Sequence, residues 1–424
     1  MLDINYIREN ADLVKLAAKN KNRNPNAVDQ AIAADTERRK LIVTVESIRA
    51  ERNKLNEQLK KGRSPELIQE STKLKAQLQD LEPQLRKIEK DFEDFMLQIP
   101  NVPFEEVPVG KDESGNQTIR TWGEIKKYDF EPKSHIEIAK SLDIIDFDRG
   151  SKVAGFRGYF LKGDAVMLQF ALMNYTLQKF ISKGFTPFVP PVILKRRNFV
   201  NSAHFPWSEQ DVYKFVTEEG EDEYFLTGTA EVPLVSYYQD EVLNEKDFPI
   251  KMIGFSPCYR KEAGSYGRDT QGVYRVHEFV KTEQVVICKN DAEESRRLHE
   301  EMLSYTEEIA QELGLPYRIL LMCTGDMGEP QTKKYDLEAW MPGRNNWGEL
   351  ASDSIVTDFQ SRRANIRYRD ANNEMQYVYM LNNTASNSPR WLVAILENYQ
   401  QADGSVKVPA VLVPFMGKDV IKLA

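Results

Sequence analysis

The sequence predicts an α+β protein in which a mainly antiparallel sheet is flanked by helices and preceded by an antiparallel helical hairpin. Three observations carry this. A glycine-poor stretch near the N-terminus holds an apolar repeat of alternating threes and fours; the remainder alternates helical stretches with short β-rich runs; and several of those runs are joined by turns too short for crossover helices. The chain has 424 residues, 41% hydrophobic and 29% charged. At one domain per ~100–200 residues this gives two or three domains and excludes extended disorder.

No run approaches the ~18 apolar residues of a membrane-spanning helix, and the start, MLDINYIRENADLVKLAAKN, has no apolar core behind a basic tip. No membrane partner is expected. Cys258, Cys288 and Cys323 lie far apart, and with four histidines in the chain they offer neither zinc-type spacing nor an even disulfide set. A cytoplasmic, reducing location fits that pattern. The net charge of -8 argues against a basic footprint over the whole protein, so a nucleic-acid partner would need a local cationic surface.

The hairpin runs from about residue 27 to 98. Glycine is absent there except in the connector Lys61-Gly62-Arg63-Ser64-Pro65. Leu74, Leu78, Leu81, Leu85, Ile88, Phe92 and Phe95 form a coiled-coil seam, and Leu41, Val45, Ile48, Leu55 and Leu59 follow the same rule with Arg52 in one seam position. A connector this short joins antiparallel neighbours: Gly62 stops one helix, Ser64 caps the next, and Pro65 opens it. Each arm of about 33 residues reaches ~50 Å at 1.5 Å per residue. Pro83 removes a backbone donor and predicts a bend near Glu82. The outward face carries Arg38, Arg39, Lys54, Lys60, Lys73, Arg86 and Lys90 among interleaved acids. From the seam alone a dimerisation rod and an RNA-binding arm both stand.

Residues 99 to 123 hold Pro100, Pro103, Pro108, Gly110 and Gly115 without periodicity, as a linker does. The domain division is therefore 1–105 and 106–424. Beyond the linker, a helix is expected over 165–182 and strands over 188–194, 250–259, 273–288, 317–322, 335–341 and 406–412.

Phosphate-loop, dinucleotide and nucleophile-elbow motifs are all missing from the sequence. The richest remaining segment is CYRKEAGSYGRDTQGVYRVHEFVKTEQ, Cys258 to Gln284, which reads as strand, glycine-rich loop, strand. Arg275, Phe279 and Glu283 recur at an even spacing, which on a strand puts them on one face. Arginines, an aromatic ring and a carboxylate projecting together can hold a nucleotide, guanidinium on phosphate and ring on purine. An ordinary hairpin with surface charges is the alternative.

This segment resembles the second motif of class II aminoacyl-tRNA synthetases, and the chain as a whole resembles the seryl-tRNA synthetase family of bacterial type. GFTPFVPPVI, Gly184 to Ile193, resembles the first motif, which in the family builds a homodimer interface. MLNNTASNSPRWLVAILENYQ, Met380 to Gln400, resembles the third, with Arg390 as its arginine. LTGTAEVPL, Leu226 to Leu234, and WGELASDSIVTDFQSRR, Trp347 to Arg363, sharpen the match to serine. Asp353 and Ile355 depart from the family, which commonly has cysteine and asparagine there. The hairpin matches the arm that grips tRNA(Ser).

The resemblance implies serine--tRNA ligase activity, with ATP and Mg2+. It implies nucleotide contacts by Arg260, Lys261, Glu262, Arg275, Val276, Phe279, Glu349, Leu350, Ala351, Ser352 and Arg390, with Arg260 and Arg390 catalytic. Phe279 would stack on adenine, Arg260 would meet the α-phosphate and the serine carboxylate, and Glu349 and Ser352 would hold magnesium. Serine would be held by Thr229, Ala230, Glu231, Arg260, Glu283, Asn382 and Thr384, with the ammonium at Thr229 and Glu231 and the hydroxyl at Glu283 and Thr384. For Thr384 a helix-cap role is the alternative. The family also suggests tRNA(Sec) as a client. The nearest rivals are a class II relative that loads a carrier protein, which has no need of the hairpin, and a coiled-coil adaptor, which has no need of the co-facing Arg275, Phe279 and Glu283.

Overall fold

The computed structural model describes the chain except residues 63, 219, 264–270 and 424, and it divides into two compact units, Met1–Val102 and Pro103–Ala424. Much of the glycine-rich loop expected within Cys258 to Gln284 therefore lies outside the described residues, as does Arg63 of the connector.

In the first unit, helices Ile4–Glu9 and Ala11–Asn20 precede the hairpin helices Asn26–Lys61 and Pro65–Leu97. The turn between the long helices follows its side-chain chemistry. The Gly62 N–H donates to Gln58 O (3.1 Å), and Ser64 Oγ accepts from Leu67 N (3.3 Å) with Pro65 in the first turn. Val45, Leu55, Leu74 and Leu78 of the seam are buried. Between the arms, Arg49 Nη2 donates to Glu82 Oε1 at 3.0 Å, beside Pro83, which lies inside the second helix. At the root of the first arm, buried Asp35 pairs with Arg8, Arg38 and Arg39. A buried carboxylate needs such partners to stay charged.

The second unit is built on an eight-stranded sheet in the order Gln117–Trp122, Tyr317–Leu321, Lys333–Met341, Asn346–Thr357, Tyr379–Asn387, Glu278–Cys288, Ile250–Tyr259 and Thr186–Phe188. Every neighbouring pair is antiparallel except the last, where Thr186–Phe188 runs parallel to Ile250–Tyr259. The helix Ala292–Glu312 covers one face. Gln284 Nε2 and Asn383 Nδ2 both donate to Thr306 Oγ1 of that helix, at 3.1 and 3.2 Å. Because side chains alternate along a strand, Glu283 and Thr384 then project from the opposite face. That face carries the candidate site.

Three strand expectations shift. The run expected over 188–194 divides into Thr186–Phe188 and Ile193–Lys195, which lie in different sheets. Pro190 and Pro191 separate them, and neither can donate to a ladder. The strand expected from Val273 begins at Glu278, because its partner ends at Tyr259 and the two residues are paired. The last run keeps only Val406–Lys407 as strand; Pro409 precedes a short 3-10 turn over Ala410–Leu412.

Candidate active site

Arg260, Arg275, Phe279, Glu349, Thr384 and Arg390 line a single cleft on the open face of the sheet. Residues more than a hundred positions apart meet there because the strands that carry them are neighbours. Arg260 follows the strand Ile250–Tyr259; its Nε donates to Gly228 O (3.2 Å), and its guanidinium lies 5.3 Å from the centre of the Phe279 ring. Arg390 sits in the first turn of the helix Ser388–Asn398, whose cap is Asn387, with Asn387 Oδ1 accepting from Arg390 N at 3.3 Å. Asn387 is thus the cap, and Thr384 is a strand residue that faces Glu283 instead.

Electrostatics divide the cleft into two ends. At one end Arg390 Nη1 meets Glu349 Oε2 at 3.0 Å and its guanidinium lies 4.7 Å from the centre of the Tyr274 ring. Burial opposes ionisation of Glu349, but Arg390 and Lys334 outweigh it and hold the carboxyl down to about 2. Arg275 Nη1 donates to Glu262 Oε2 at 2.7 Å; burial works against that carboxylate too, and the guanidinium wins, lowering its pKa. Ser352 is paired across the ladder with Asp336, whose carboxyl burial pushes up to about 7 against the pull of Lys334.

At the other end the wall is made by Lys281 and Thr384, which meet Glu283 buried behind them: Lys281 Nζ stands 2.5 Å from its Oε2, and Thr384 Oγ1 donates to the same oxygen at 3.3 Å. Glu231 Oε1 accepts from Gln360 Nε2 (2.8 Å) and Asn382 Nδ2 (3.2 Å), and its backbone N–H donates to Thr229 Oγ1 (3.2 Å). Burial raises the pKa of both Glu231 and Glu283, with Lys281 and other polar neighbours opposing it.

Some residues named from sequence face elsewhere. The side chains of Ala230, Leu350 and Ala351 are buried in the core, so only their backbones are available to a ligand. The Leu350 carbonyl is already taken by Asn387 Nδ2 (2.7 Å) and Trp391 Nε1 (3.2 Å). Lys261 turns toward the Tyr213 ring, 5.7 Å away. Val276 is buried at the cleft's edge. Sequence reasoning missed Lys281, Tyr274, Asp336 and Gln360. Lys281 carried a usable signal, since it falls between Phe279 and Glu283 at the same even spacing.

An oxygen-only donor set at Glu349 and Ser352, with Glu349 held ionised, is of the kind that suits magnesium. Among the described residues no group of three or more His, Cys, Asp and Glu is arranged to hold a metal by itself. Such a site would depend on phosphate oxygens for the rest of its shell.

Comparison with known proteins accounts for both units. Residues 1–103 match the seryl-tRNA synthetase N-terminal domain, and residues 213–399 match the class II tRNA synthetase core domain (G, H, P, S and T). The serine--tRNA ligase of Deinococcus radiodurans is 44% identical over 421 residues, spanning 98% of each chain. The chain belongs to the seryl-tRNA synthetase family. The Dictyoglomus turgidum serine--tRNA ligase is 42% identical over 430 residues, covering 100% of this chain and 99% of that one. Among solved structures, the seryl-tRNA synthetase of Pyrococcus horikoshii complexed with ATP superposes with a TM-score of 0.90 at 39% identity, over 100% of both chains. The cytoplasmic serine-tRNA ligase of Naegleria fowleri in complex with AMP gives 0.87 at 33% identity, covering 100% of this chain and 99% of that one.

Proposed function

We propose that the protein activates L-serine with ATP to give seryl-adenylate and pyrophosphate, then transfers the seryl group to tRNA(Ser). The observation that carries this is the two-ended cleft: fixed cations and an aromatic face at one end, paired carboxylates with a threonine hydroxyl at the other. ATP would lie with its base on Phe279 and its phosphates among Arg260, Arg275 and Arg390. Glu349 and Ser352 would hold Mg2+, which when bound neutralises phosphate charge.

The activation step needs no protein base. An α-carboxylate with a pKa of about 3.5 is already ionised at neutral pH. Its oxygen attacks the α-phosphorus, a bond to that oxygen forms, and the bond to pyrophosphate breaks. Arg260 aligns the attacking carboxylate and offsets the charge that builds at phosphorus; Arg390 offsets charge on the departing group. In the second step a hydroxyl of the terminal ribose attacks the acyl carbon and AMP leaves. Serine is chosen by its ammonium at Glu231 and Thr229 and by its hydroxyl between Glu283 and Thr384. A site that hydrogen-bonds a hydroxyl rejects the analogue lacking it by ~10⁴ or more.

The domain division follows as 1–105 for tRNA binding and 106–424 for catalysis, with the hairpin arm holding tRNA(Ser) and, by the same resemblance, tRNA(Sec). A homodimer is supported by apolar side chains left exposed near the first motif: Met167, Phe170 and Ile181 on the helix Asp164–Ser182, with Val189 and Ile193. A cytoplasmic setting agrees with three free buried cysteines, and among the described residues no helix is long and apolar enough to cross a membrane. The test is serine-dependent exchange of labelled pyrophosphate into ATP. The wild type should support it, and Arg260→Ala should lose it by about a thousandfold, as removal of a charge-stabilising donor does. Near-normal exchange in that variant would remove the central assignment.

A further inference from the structure

Behind Lys281 and Thr384, which line the cleft at its amino-acid end, are two carboxylates, Glu231 and Glu283, close enough to influence each other's ionisation. Either could receive the ammonium of an amino acid. Lys281 acts on both through its charge, but their direct contacts differ in kind. Glu231 is met by the neutral amides of Gln360 and Asn382, at 2.8 and 3.2 Å. Glu283 is met by a full cation, Lys281 Nζ at 2.5 Å, whose side chain is 7% exposed. Lys281 reaches this place because it lies two residues from Glu283 on the strand Glu278–Cys288, on the same face.

We propose that Lys281 is the charge selector of this subsite: by pairing with Glu283 it reserves that carboxylate for a neutral side-chain hydroxyl and sends the substrate ammonium to Glu231. This rests on the serine-activating reading above and deepens it. The charges support it. When both glutamates are ionised they balance Lys281 and Arg260, so a net-neutral zwitterion such as serine adds no net charge to the site. An amino acid with a second ammonium in place of the hydroxyl would set that group against Lys281 in a site with little water to screen it, and like charges brought together there are strongly disfavoured. Lys281 is thus a repulsive element against cationic analogues as well as a partner for Glu283. Without it, a substrate's own side-chain ammonium could take its place beside Glu283.

Pyrophosphate exchange with L-serine and with L-2,3-diaminopropionate, whose side-chain amine is largely protonated at neutral pH, tests this. In the Lys281→Met variant the ratio of kcat/KM for diaminopropionate to that for serine should rise by about a hundredfold over wild type. Lys281→Arg, which keeps the charge, should stay within about threefold of the wild-type ratio. Stabilisation of each variant by ATP in thermal unfolding reports an intact nucleotide end. An unchanged ratio in Lys281→Met overturns the proposal, and so does loss of exchange with both amino acids in a variant that ATP still stabilises. If Lys281→Met does not fold, the Arg variant decides: retained rejection of diaminopropionate supports the proposal and lost rejection overturns it. Absence of serine-dependent exchange in the wild type would instead refute the underlying reading, so the two failures are distinguishable.

Discussion

Thr384 shows how much one hydroxyl can decide. Its Oγ1 donates to Glu283 Oε2, and both groups are buried. Beside alanine, Glu283 and Thr384 would keep their own contact but lose the bond to a substrate hydroxyl, and a hydrogen bond to a charged group is worth ~1.5–3 kcal/mol. Replacing Thr384 by valine keeps the shape and removes the donor. The expected outcome is a fall of about 10–100-fold in the preference for serine over alanine, read as the ratio of kcat/KM values in pyrophosphate exchange, with ATP affinity unchanged. Unaltered selectivity would move hydroxyl recognition elsewhere. At this scale the sequence was legible where residue type alone limits the chemistry, as for Arg260, Arg390 and Glu283. It was less legible for Lys281 and Asp336, whose significance lies in burial. A lysine or aspartate on an alternating strand reads as solvent-facing until the layer above it is known, and here burial is what turns the Lys281–Glu283 contact into a close pair.

At the scale of elements, the hairpin was the most legible part because a heptad seam repeats its own evidence, and its ends were marked by Gly62, Ser64 and Pro65. Strand limits were harder. A strand ends where its partner ends, and the partner is fixed by contacts distant in sequence; Glu278 begins its strand because it faces Tyr259. The prolines at 190 and 191 carried a readable break that the apolar run around them obscured. The hairpin's separateness also makes a prediction. Unit Met1–Val102 has its own buried seam, and the cleft is built wholly from the second unit. Deleting residues 1–102 should leave serine-dependent pyrophosphate exchange within about threefold of wild type, while tRNA charging efficiency drops by about a hundredfold and loses most of its salt dependence, because the phosphate contacts are gone. Exchange that collapses with the deletion would show that the catalytic unit needs the hairpin to fold.

For the whole molecule, buried ionisable groups tie stability to pH. Burial pushes the His204 imidazole down to about 4, and Arg260 and Lys281 push the same way. Its ordinary value is near 6.5, so between these limits the unfolded chain binds a proton that the folded chain refuses. Unfolding is favoured by that difference, and stability contributed by the neutral ring is lost as the pH falls through the window. Glu231, Glu283 and Asp336 act in the opposite sense: their pKa values are raised, so the folded chain takes up their protons first and gains from acidification. The net slope of the wild type therefore mixes opposing contributions, but a comparison isolates the histidine. In His204→Gln the carboxylates remain and the titrating ring is gone. The free energy of unfolding by urea should fall less steeply in the variant than in wild type from about pH 6.5 to 4, the difference in slope being at most ~1.4 kcal/mol per pH unit. Above pH 7 the two curves should run parallel. Equal slopes across the acid range would mean that His204 titrates as freely in the folded chain as in the unfolded one, and the charge arrangement around Arg260 and Lys281 would need redrawing.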